Sequence, residues 1–338
     1  MAVIWMWNAL QCAVQGRSHI KTDTPCQDKT YFKKKDNIYT IALADGAGSA
    51  IYSHLGAETI TQYICGKLTN YFDEIYSEKD GANVKKRIIA DILIELNTLS
   101  EELKCEVKEL ASTLLFVAVK DNKFIIVHIG DGVIGYLKNG ELKIASEPKN
   151  GEFINTTTFT TSNHAVSSMK LIKGEIGNIE GFVLMSDGTE TSLYDKRERR
   201  FAEVIKKIMG LGIVLPTSKI EELLLESFLN IISHATTDDC SIAMLVKSPK
   251  DFNGYVKLSD TQKQNLFFLM SNRRLNKKQI NRYNAILNYL MEPKSLYSIS
   301  RNIHLKEKYT KKHLEFLLSL NFIEKHNGKY FALLILNN

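Results

Sequence analysis

The period of the hydrophobic positions changes several times along the chain, and these changes predict its elements. Two early apolar runs, 8–15 and 37–44, are typical of strands, and the second leads directly into Asp45. Apolar residues then recur at helical spacing over 53–76, and a second stripe of that kind covers 84–104. The chain therefore begins with strands and continues with two helices.

Shorter strand-like runs follow these helices. They cover 112–120, 123–130, 133–138, 141–145, 156–161, 168–172 and 181–186. Asp121-Asn122 and Asn139-Gly140 join successive runs as tight hairpin turns. Helical patterns at 197–209 and 218–233 precede a closing strand at 240–247. Because strands and helices do not alternate singly, the order predicts antiparallel sheets packed together with helices outside them.

A short linker, Ser248–Gly254, separates this part from a different C-terminal pattern. Four helical patterns are followed by a hairpin around Asn327-Gly328; the helices are expected near 260–271, 279–291, 295–303 and 307–320. Three helices followed by a two-stranded hairpin are typical of a winged helix. We therefore expect two domains, residues 1–250 and a small winged-helix-like domain at 255–338.

Charge is distributed unevenly between these two predicted domains. Residues 255–338 contain 15 Lys or Arg against 5 Asp or Glu, and the remainder contains 29 against 33. A basic helix and wing could lie along the phosphate backbone of a nucleic acid. A protein-interaction or dimerisation module is the alternative, and the sequence leaves both partners open.

Composition excludes some classes of protein. A hydrophobic fraction of 44% and a charged fraction of 24% are those of a globular domain, and no apolar run approaches the length of a membrane span. The five cysteines have no Cys-x-x-Cys spacing, which argues against structural zinc or a disulfide framework. We expect a cytoplasmic protein that does not bind a membrane.

Four short acidic motifs point to chemistry. They are Gln27-Asp28, Asp45-Gly46, Ser186-Asp187-Gly188 and Thr237-Asp238-Asp239. In two of them an Asp precedes a Gly at the end of an apolar run, which puts a carboxylate at the mouth of a sheet. One Asp-Gly taken alone is most often only a turn. Several carboxylates converging from distant segments, however, would make a site for Mg²⁺ or Mn²⁺.

The order of these motifs resembles that of the metal-dependent Ser/Thr protein phosphatases of type 2C. The bacterial branch is the closer match, through Gly16-Arg-Ser-His19, Pro25-Cys-Gln-Asp28 and Asp45-Gly-Ala-Gly-Ser49. Gly130-Asp131 at the end of a strand adds to the resemblance, which covers about residues 8–247. It implies an α+β fold, a four-layer α-β-β-α sandwich of antiparallel sheets, with two Mn²⁺ or Mg²⁺ ions per active site.

The resemblance also implies roles for individual residues. Asp45 would bridge both metals and the carbonyl of Gly46 would bind one of them. Asp187 and Asp238 would bind the other metal, and Asp28 would hold metal-bound waters. Two such ions can share a water and lower its pKa, so that no protein nucleophile is required.

Three further residues follow from the resemblance with less support from spacing. Asp131 would help to hold a third metal, although the acid that usually follows Ser-Asp-Gly by four residues is Thr191 here. Neither Arg17 nor His19 matches the phosphate-binding Arg of the family in position, but both lie in the right segment. Val133 replaces an Arg that usually follows Gly-Asp-Ser.

The predicted function is hydrolysis of phosphoserine or phosphothreonine in a phosphorylated protein, with a Ser/Thr kinase working in opposition. The departures at Val133 and Thr191 motivate an alternative. In it, a degenerate phosphatase fold acts as a sensor or regulator and binds a partner protein or nucleic acid through the basic C-terminal domain.

Overall fold

A computed structural model describes residues 5–148, 157–215, 217–249 and 254–333. The chain forms two compact units. The larger unit comprises Trp7–Ile205 and Glu221–Val246. The other, which we call the C-terminal unit, comprises Met1–Met6, Lys206–Ile220 and Lys247–Asn338.

The strands and helices are numbered in chain order. The strands are β1 (Trp5–Val14), β2 (Lys29–Lys35), β3 (Ile38–Ala44), β4 (Leu114–Lys120), β5 (Lys123–Ile129), β6 (Val133–Lys138), β7 (Glu141–Ser146), β8 (Lys170–Glu175), β9 (Ile179–Met185), β10 (Tyr194–Asp195), β11 (Arg200–Phe201), β12 (Cys240–Pro249), β13 (Lys294–Ser295), β14 (Ile323–His326) and β15 (Lys329–Ala332). The helices are α1 (Arg17–Thr22), α2 (Ser53–Ser77), α3 (Gly81–Leu103), α4 (Ala165–Ser168), α5 (Glu190–Leu193), α6 (Glu203–Val214), α7 (Thr217–Ser227), α8 (Ser233–Ala235), α9 (Gly254–Lys257), α10 (Asp260–Ser271), α11 (Lys277–Tyr289), α12 (Leu296–Asn302) and α13 (Glu307–Ser319).

Two five-stranded sheets form the centre of the larger unit. The first sheet has the order β2-β3-β4-β5-β8, and each neighbouring pair is antiparallel. The second has the order β1-β12-β9-β6-β7, with β12, β9, β6 and β7 antiparallel to their neighbours. The antiparallel sheets expected from the sequence are therefore present, and the predicted fold class is confirmed.

Apolar contacts hold the sheets to each other and to the helices. Phe182 of β9 contacts Trp7 of β1 and Phe124 of β5, with ring centroids 6.0 and 5.3 Å apart. On the other face of the first sheet, α2 and α3 bury an apolar stripe that includes Ile64 and Ile92, both fully buried. Burial of these stripes holds α2 and α3 against the first sheet.

The C-terminal unit has a core of aromatic side chains. The ring of Phe267 on α10 lies 5.3 Å from the rings of both Tyr283 and Phe322. β13, which lies between α11 and α12, and the C-terminal hairpin β14–β15 form a three-stranded sheet of order β13-β15-β14. Asn327 and Gly328 form the turn of the hairpin with φ of +49° and +77°. The hairpin expected at Asn327-Gly328 is thus present, while assignment to the winged-helix class and the domain boundary near residue 250 stay predictions.

Two of the sequence-based assignments are wrong. Residues 157–161 form turns and irregular backbone rather than a strand, and residue 156 lies outside the described residues. The helix expected at 197–209 begins only at Glu203, because Tyr194–Phe201 form the β10–β11 hairpin. The sequence also failed to predict β2, since the lysines of Lys29–Lys35 mask its alternation.

Among the described residues, none of the helices combines the length and apolar character needed to cross a lipid bilayer.

Candidate metal centre

Hydrogen bonds hold the backbone of Asp45 at the end of β3 in the first sheet. It follows β3, whose residues are buried along the whole strand. The backbone N–H of Asp45 donates to Thr113 Oγ1 at 2.9 Å, and the N–H of Thr113 donates to the carbonyl of Asp45 at 2.8 Å. Because its backbone is held on both sides, the carboxylate of Asp45 has a defined position at the strand end.

Three aspartates meet at this strand end. Asp131 follows β5 of the first sheet, and Asp187 follows β9 of the second. Carboxylate oxygens of Asp45, Asp131 and Asp187 all lie within 4.8 Å of one another. The two sheets therefore bring together residues that are 142 positions apart at the extremes.

Burial and mutual repulsion both act on these carboxylates. Burial raises the pKa of Asp45, and the charges of Asp28 and Asp187 raise it further. Burial also raises the pKa of Asp187, where the charge of Asp131 adds to the effect and that of Lys196 opposes it. Clustered anions of this kind are unfavourable unless cations neutralise them, and divalent cations do so at close range.

Unpaired oxygens show that the residues fit hard cations. Asp28 is 2% exposed, and its Oδ2 has no hydrogen-bond partner among the described residues. Asp187 Oδ1 is likewise buried and unpaired. Buried polar atoms in proteins nearly always have a partner, and oxygen ligands are those that Mg²⁺ and Mn²⁺ prefer. Burial also raises the pKa of Asp28, although the hydroxyls of Ser241 and Ser186 oppose the rise.

Glycine is needed where the Gln27-Asp28 segment meets the Asp45 turn. The N–H of Gly46 donates to the carbonyl of Gln27 at 3.2 Å. A Cβ on Gly46 would lie only 2.8 Å from both Cβ and Oγ of Ser53. The close approach to α2 thus keeps Asp28 beside the three-carboxylate cluster.

A second glycine turns the chain into Asp131. Gly130 has a φ of +114°, which side-chain-bearing residues rarely adopt. A Cβ at this position would also lie 2.5 Å from the side chain of Thr113. The hydroxyl of Thr157 donates to Oδ2 of Asp131, which fixes the orientation of this carboxylate.

The two acids of Thr237-Asp238-Asp239 differ in environment. Asp238 is exposed, and its Oδ1 accepts from the N–H of Asp239 at 2.9 Å. Asp239 is 2% exposed; its two oxygens accept from the N–H of Gly16 at 2.6 Å and of Gln27 at 2.5 Å. Asp239 therefore joins three of the predicted motif segments, while Asp238 remains open to a ligand.

Two further glycines lie against the backbone of these acids. A Cβ on Gly16 would lie 2.2 Å from the carbonyl carbon of Asp238, and one on Gly188 would lie 1.9 Å from the carbonyl oxygen of Asp239. A side chain at Gly16 would displace the peptide between Asp238 and Asp239, and one at Gly188 would displace the peptide between Asp239 and Cys240. The backbone of Asp238 and Asp239 is therefore held between the segment before α1 and the segment that carries Asp187.

A comparison with known families agrees with this arrangement. Residues 15–216 match the sequence profile described as protein phosphatase 2C. The chain belongs to the protein phosphatase 2C family. The family recognised from the sequence motifs is therefore confirmed. Type 2C phosphatases use Mn²⁺ or Mg²⁺, and the acidic cluster of this chain fits that use.

A curated relative within this family is Serine/threonine-protein phosphatase 3 of Escherichia coli (strain K12). It is 27% identical to the chain over 172 residues, which make up 48% of this chain. The matched region spans 66% of the relative's length, slightly less than two thirds.

Solved structures of the family have a similar fold. The Ser/Thr phosphatase Stp1 from Staphylococcus aureus has a TM-score of 0.50 and 15% identity, over 73% of this chain and 97% of Stp1. A bacterial serine phosphatase has a TM-score of 0.50 and 14% identity, over 71% and 97%. At these identities the similarity concerns the fold alone.

Arg17 and His19, the predicted phosphate-binding residues, contact the loop before β12. Arg17 is exposed, and its guanidinium donates to the carbonyls of Thr236 and His234 at 3.1–3.2 Å. His19 Nδ1 lies 2.9 Å from Asp239 Oδ1. Their role in phosphate binding stays a prediction.

Sequence reasoning missed a charged pair beside the cluster. Glu190 Oε2 lies 2.5 Å from Lys196 Nζ, and Glu190 Oε1 is buried and has no hydrogen-bond partner in the described parts of the chain. Burial raises the pKa of Glu190, and the charges of Asp187 and Asp131 add to the rise. The adjacent Thr191 is exposed. An acid beside Ser-Asp-Gly was a usable signal for Glu190, whereas Lys196, directly before the helix wrongly expected at 197–209, had no comparable signal.

Proposed function

We propose that the protein removes phosphate from phosphoserine or phosphothreonine in proteins, using two Mn²⁺ or Mg²⁺ ions. The observation that carries this proposal is the convergence of the Asp45, Asp131 and Asp187 carboxylates within 4.8 Å of one another. Membership of the protein phosphatase 2C family supports it.

The chain offers a set of oxygen ligands for these ions. Asp45 would contact both ions, with the carbonyl of Gly46 on one and Asp187 and Asp238 on the other. When bound, a pair of divalent ions lowers the pKa of a shared water and takes up charge on the phosphoryl oxygens. Asp131, which Thr157 orients, is the remaining candidate for a third ion.

The chain's own residues prepare the attacking water and the phosphoryl group. The unpaired Oδ2 of Asp28 would accept a hydrogen bond from a water in the site and orient it. His19, whose Nδ1 lies 2.9 Å from Asp239 Oδ1, would donate from its other ring nitrogen to a phosphoryl oxygen. Arg17 is the second candidate for that contact, although its guanidinium already binds two backbone carbonyls.

Thiol chemistry does not compete with this route. Burial raises the pKa of Cys240 to about 12, and the neighbouring carboxylates of Asp28, Asp238 and Asp239 contribute. Burial and the charges of Asp239 and Asp28 also raise the pKa of Cys26. Both thiols stay protonated at neutral pH and are poor nucleophiles.

The test is metal-dependent hydrolysis by the purified full chain. We expect para-nitrophenyl phosphate and a phosphothreonine peptide to be hydrolysed with Mn²⁺ or Mg²⁺, and hydrolysis to stop on addition of EDTA. Return of activity when excess Mn²⁺ is restored would exclude damage to the fold. A rate that is indifferent to EDTA would contradict the proposal.

The degenerate-fold alternative is not favoured. Its motivation was the absence of acid at Thr191 and of Arg at Val133. Asp45, Asp131 and Asp187 are retained and their carboxylates lie together, and buried oxygens of Asp28 and Asp187 lack a partner among the residues that the structure describes.

The proposal includes a substrate, an opposing kinase and a partner for the C-terminal unit. A phosphorylated protein is the substrate, an opposing Ser/Thr kinase would supply it, and we expect both in the cytoplasm. The C-terminal unit would bind nucleic acid or another protein through the exposed Lys308, Tyr309 and Lys312 at the start of α13.

These two kinds of partner can be separated by gel shift of the full chain. Binding of nucleic acid at low salt that Lys308→Gln with Lys312→Gln weakens would favour nucleic acid, and the affinity should fall steeply as salt rises. If no gel shift is observed at low salt, the C-terminal unit does not bind nucleic acid and a protein is the remaining partner.

A further inference from the structure

A basic hairpin lies beside the acidic cluster. We call residues Tyr194–Phe201, which form β10, β11 and the turn between them, the basic hairpin. It follows Asp187 after only one short helix, α5. Its Lys196 Nζ lies 2.5 Å from Glu190 Oε2, and its charge acts on Asp187. The basic hairpin is thus within electrostatic reach of the proposed metal site.

Several contacts fix the basic hairpin to the rest of the larger unit. The hydroxyl of Tyr194 donates to Glu147 Oε2 at 2.8 Å, and the guanidinium of Arg199 pairs with Oε1 of the same carboxylate. The rings of Tyr194 and Phe201 lie 5.0 Å apart. Asp195 Oδ1 accepts from the N–H of Arg197 at 2.9 Å, which holds the turn. A surface held in this way can present side chains at defined positions.

The four cations of the basic hairpin divide into two pairs. Lys196 and Arg199 are paired with Glu190 and Glu147. Arg197 and Arg200 are exposed, and neither has a carboxylate within salt-bridge distance in the described part of the chain.

These two exposed arginines line a cavity together with Glu190. The cavity is open to solvent and has a volume of about 450 Å³, and the charges of Asp187 and Asp131 act on the carboxylate of Glu190 in its wall. Guanidinium groups bind carboxylates through paired hydrogen bonds in a fixed planar geometry. The phosphoryl group undergoing hydrolysis belongs at the aspartate cluster, so the cavity is free for neighbouring side chains of the same substrate.

We infer that the basic hairpin binds acidic side chains near the phosphorylated residue of the substrate. Arg197 and Arg200 would hold Asp or Glu residues of the phosphoprotein, while Lys196 and Arg199 keep the hairpin in place. The inference rests on the proposed phosphatase function and adds to it a class of substrate, phosphoproteins with acidic residues flanking the phosphosite.

The first test needs only the unaltered full chain with Mn²⁺. Three phosphothreonine peptides of equal length would carry acidic, neutral or basic residues on both sides of the phosphosite. We expect kcat/KM to be about tenfold higher for the acidic than for the neutral peptide, since two exposed ion pairs contribute at most modestly. The ratio should approach one at about 0.5 M NaCl, because salt screens exposed charges.

Variants then assign the preference to the two arginines. In Arg197→Gln with Arg200→Gln we expect the acidic-to-neutral ratio of kcat/KM to fall close to one, mainly through a higher KM for the acidic peptide. Arg197→Lys with Arg200→Lys should retain part of the preference. The matched control is Lys34→Gln with Lys35→Gln, which removes the same charge from the exposed end of the β2–β3 hairpin; it should keep the ratio of the unaltered chain.

The results separate this inference from the function on which it rests. Equal kcat/KM for acidic and neutral peptides at low salt would overturn the inference and leave the phosphatase intact. A double glutamine variant that keeps the full preference would do the same. Failure to hydrolyse any peptide or aryl phosphate with Mn²⁺ would remove both.

Discussion

The two ends of the first sheet both carry aspartates, but in different roles. At one end, which we call the turn end, Asp36 and Asp121 lie in the β2–β3 and β4–β5 turns with φ of +52° and +51°. At the other end, which we call the site end, Asp45 and Asp131 follow β3 and β5, and neither is among the described residues with positive φ. The first pair satisfies a backbone requirement, since Asp tolerates the left-handed region better than most residues.

The difference between the ends teaches how to separate turn aspartates from functional ones. The turn aspartates are exposed, and Asp121 Oδ1 accepts a hydrogen bond from Asn37 Nδ2 at 2.5 Å. Asp45 and Asp131 instead converge with Asp187, and burial, together with repulsion between the carboxylates, raises the pKa of Asp45 and Asp187. An aspartate held where it is electrostatically unfavourable indicates a site for a cation.

The largest expected effect comes from neutralising the converging aspartates. Asp45→Asn and Asp187→Asn should each lower kcat/KM by about 100-fold or more, because each removes a charge that would neutralise the cations. Stability without metal should be unchanged or higher, since the variants relieve repulsion. Steady-state kinetics and thermal unfolding with and without Mn²⁺ measure both effects.

The matched control exchanges the same groups at the opposite end. Asp36→Asn also replaces a carboxylate by an amide, at a position where Asn accepts the positive φ. It should leave kcat/KM within about twofold of the unaltered chain, as is usual for exposed surface changes. Comparable losses in Asp36→Asn and Asp45→Asn would erase the distinction between the two ends.

A second effect concerns the backbone that supports the site end. Gly188→Ala would put a Cβ 1.9 Å from the carbonyl oxygen of Asp239. We expect a loss of about 1–3 kcal/mol in the free energy of unfolding, together with lower activity, because the carbonyl of Asp239 must move. Urea denaturation measures the first quantity.

Gly81→Ala is the corresponding control away from the site. A Cβ at Gly81 would meet only Leu171 Cδ2 at 4.0 Å, an ordinary contact. Since Ala favours helices, this change at the start of α3 should leave stability unchanged or raise it. Gly188→Ala with native stability would show that the carbonyl of Asp239 is not held as the structure implies.

The site end also contains a buried histidine, His128 on β5. His128 Nδ1 lies 2.6 Å from Ser146 Oγ, and Nε2 lies 3.2 Å from the carbonyl of Gly130. A carbonyl can only accept, so Nε2 carries the proton and Nδ1 accepts from the serine hydroxyl. Burial, with the charge of Lys170, lowers the pKa of His128 to about 3.

The site end should therefore be sensitive to acid. The unfolded chain binds a proton at His128 below about pH 6.5, whereas the folded chain does not until about pH 3, so stability falls across that interval. Between pH 7 and pH 5 this one group should cost about 2 kcal/mol. Urea denaturation at the two pH values, compared with His128→Gln, isolates the contribution. An equal loss in both proteins would assign the acid sensitivity to other groups.

Local patterns predicted most of the elements and the positions of Asp45, Asp131 and Asp187 at strand ends. The buried run of β3 ending at Asp45 and the Asn139-Gly140 and Asn327-Gly328 turns are encoded by adjacent residues. These features depend on period and turn chemistry, which a single sequence contains.

The features that were missed depend on distant contacts. Asp239 is buried because it accepts from Gly16 and Gln27, 223 and 212 positions away, and nothing near it in the sequence indicates this. Lys196–Arg200 has residues that favour helices, yet the segment pairs as a hairpin because Tyr194 and Arg199 both bind Glu147. Tertiary contacts overrode propensity there.

The smallest effect is expected at the turn end itself. Asp121→Asn keeps a side chain suited to the left-handed φ of +51°, and its amide oxygen can still accept from Asn37. The hydrogen bond is exposed, so the free energy of unfolding should change by less than about 1 kcal/mol. Activity should remain that of the unaltered chain, because the β4–β5 turn and Asp131 lie at opposite ends of β5. Chemical denaturation and aryl phosphate hydrolysis, measured beside Asp45→Asn, complete the comparison. A large loss of activity from Asp121→Asn would mean that the two ends are coupled through the sheet, and position at a strand end could no longer separate structural from functional aspartates.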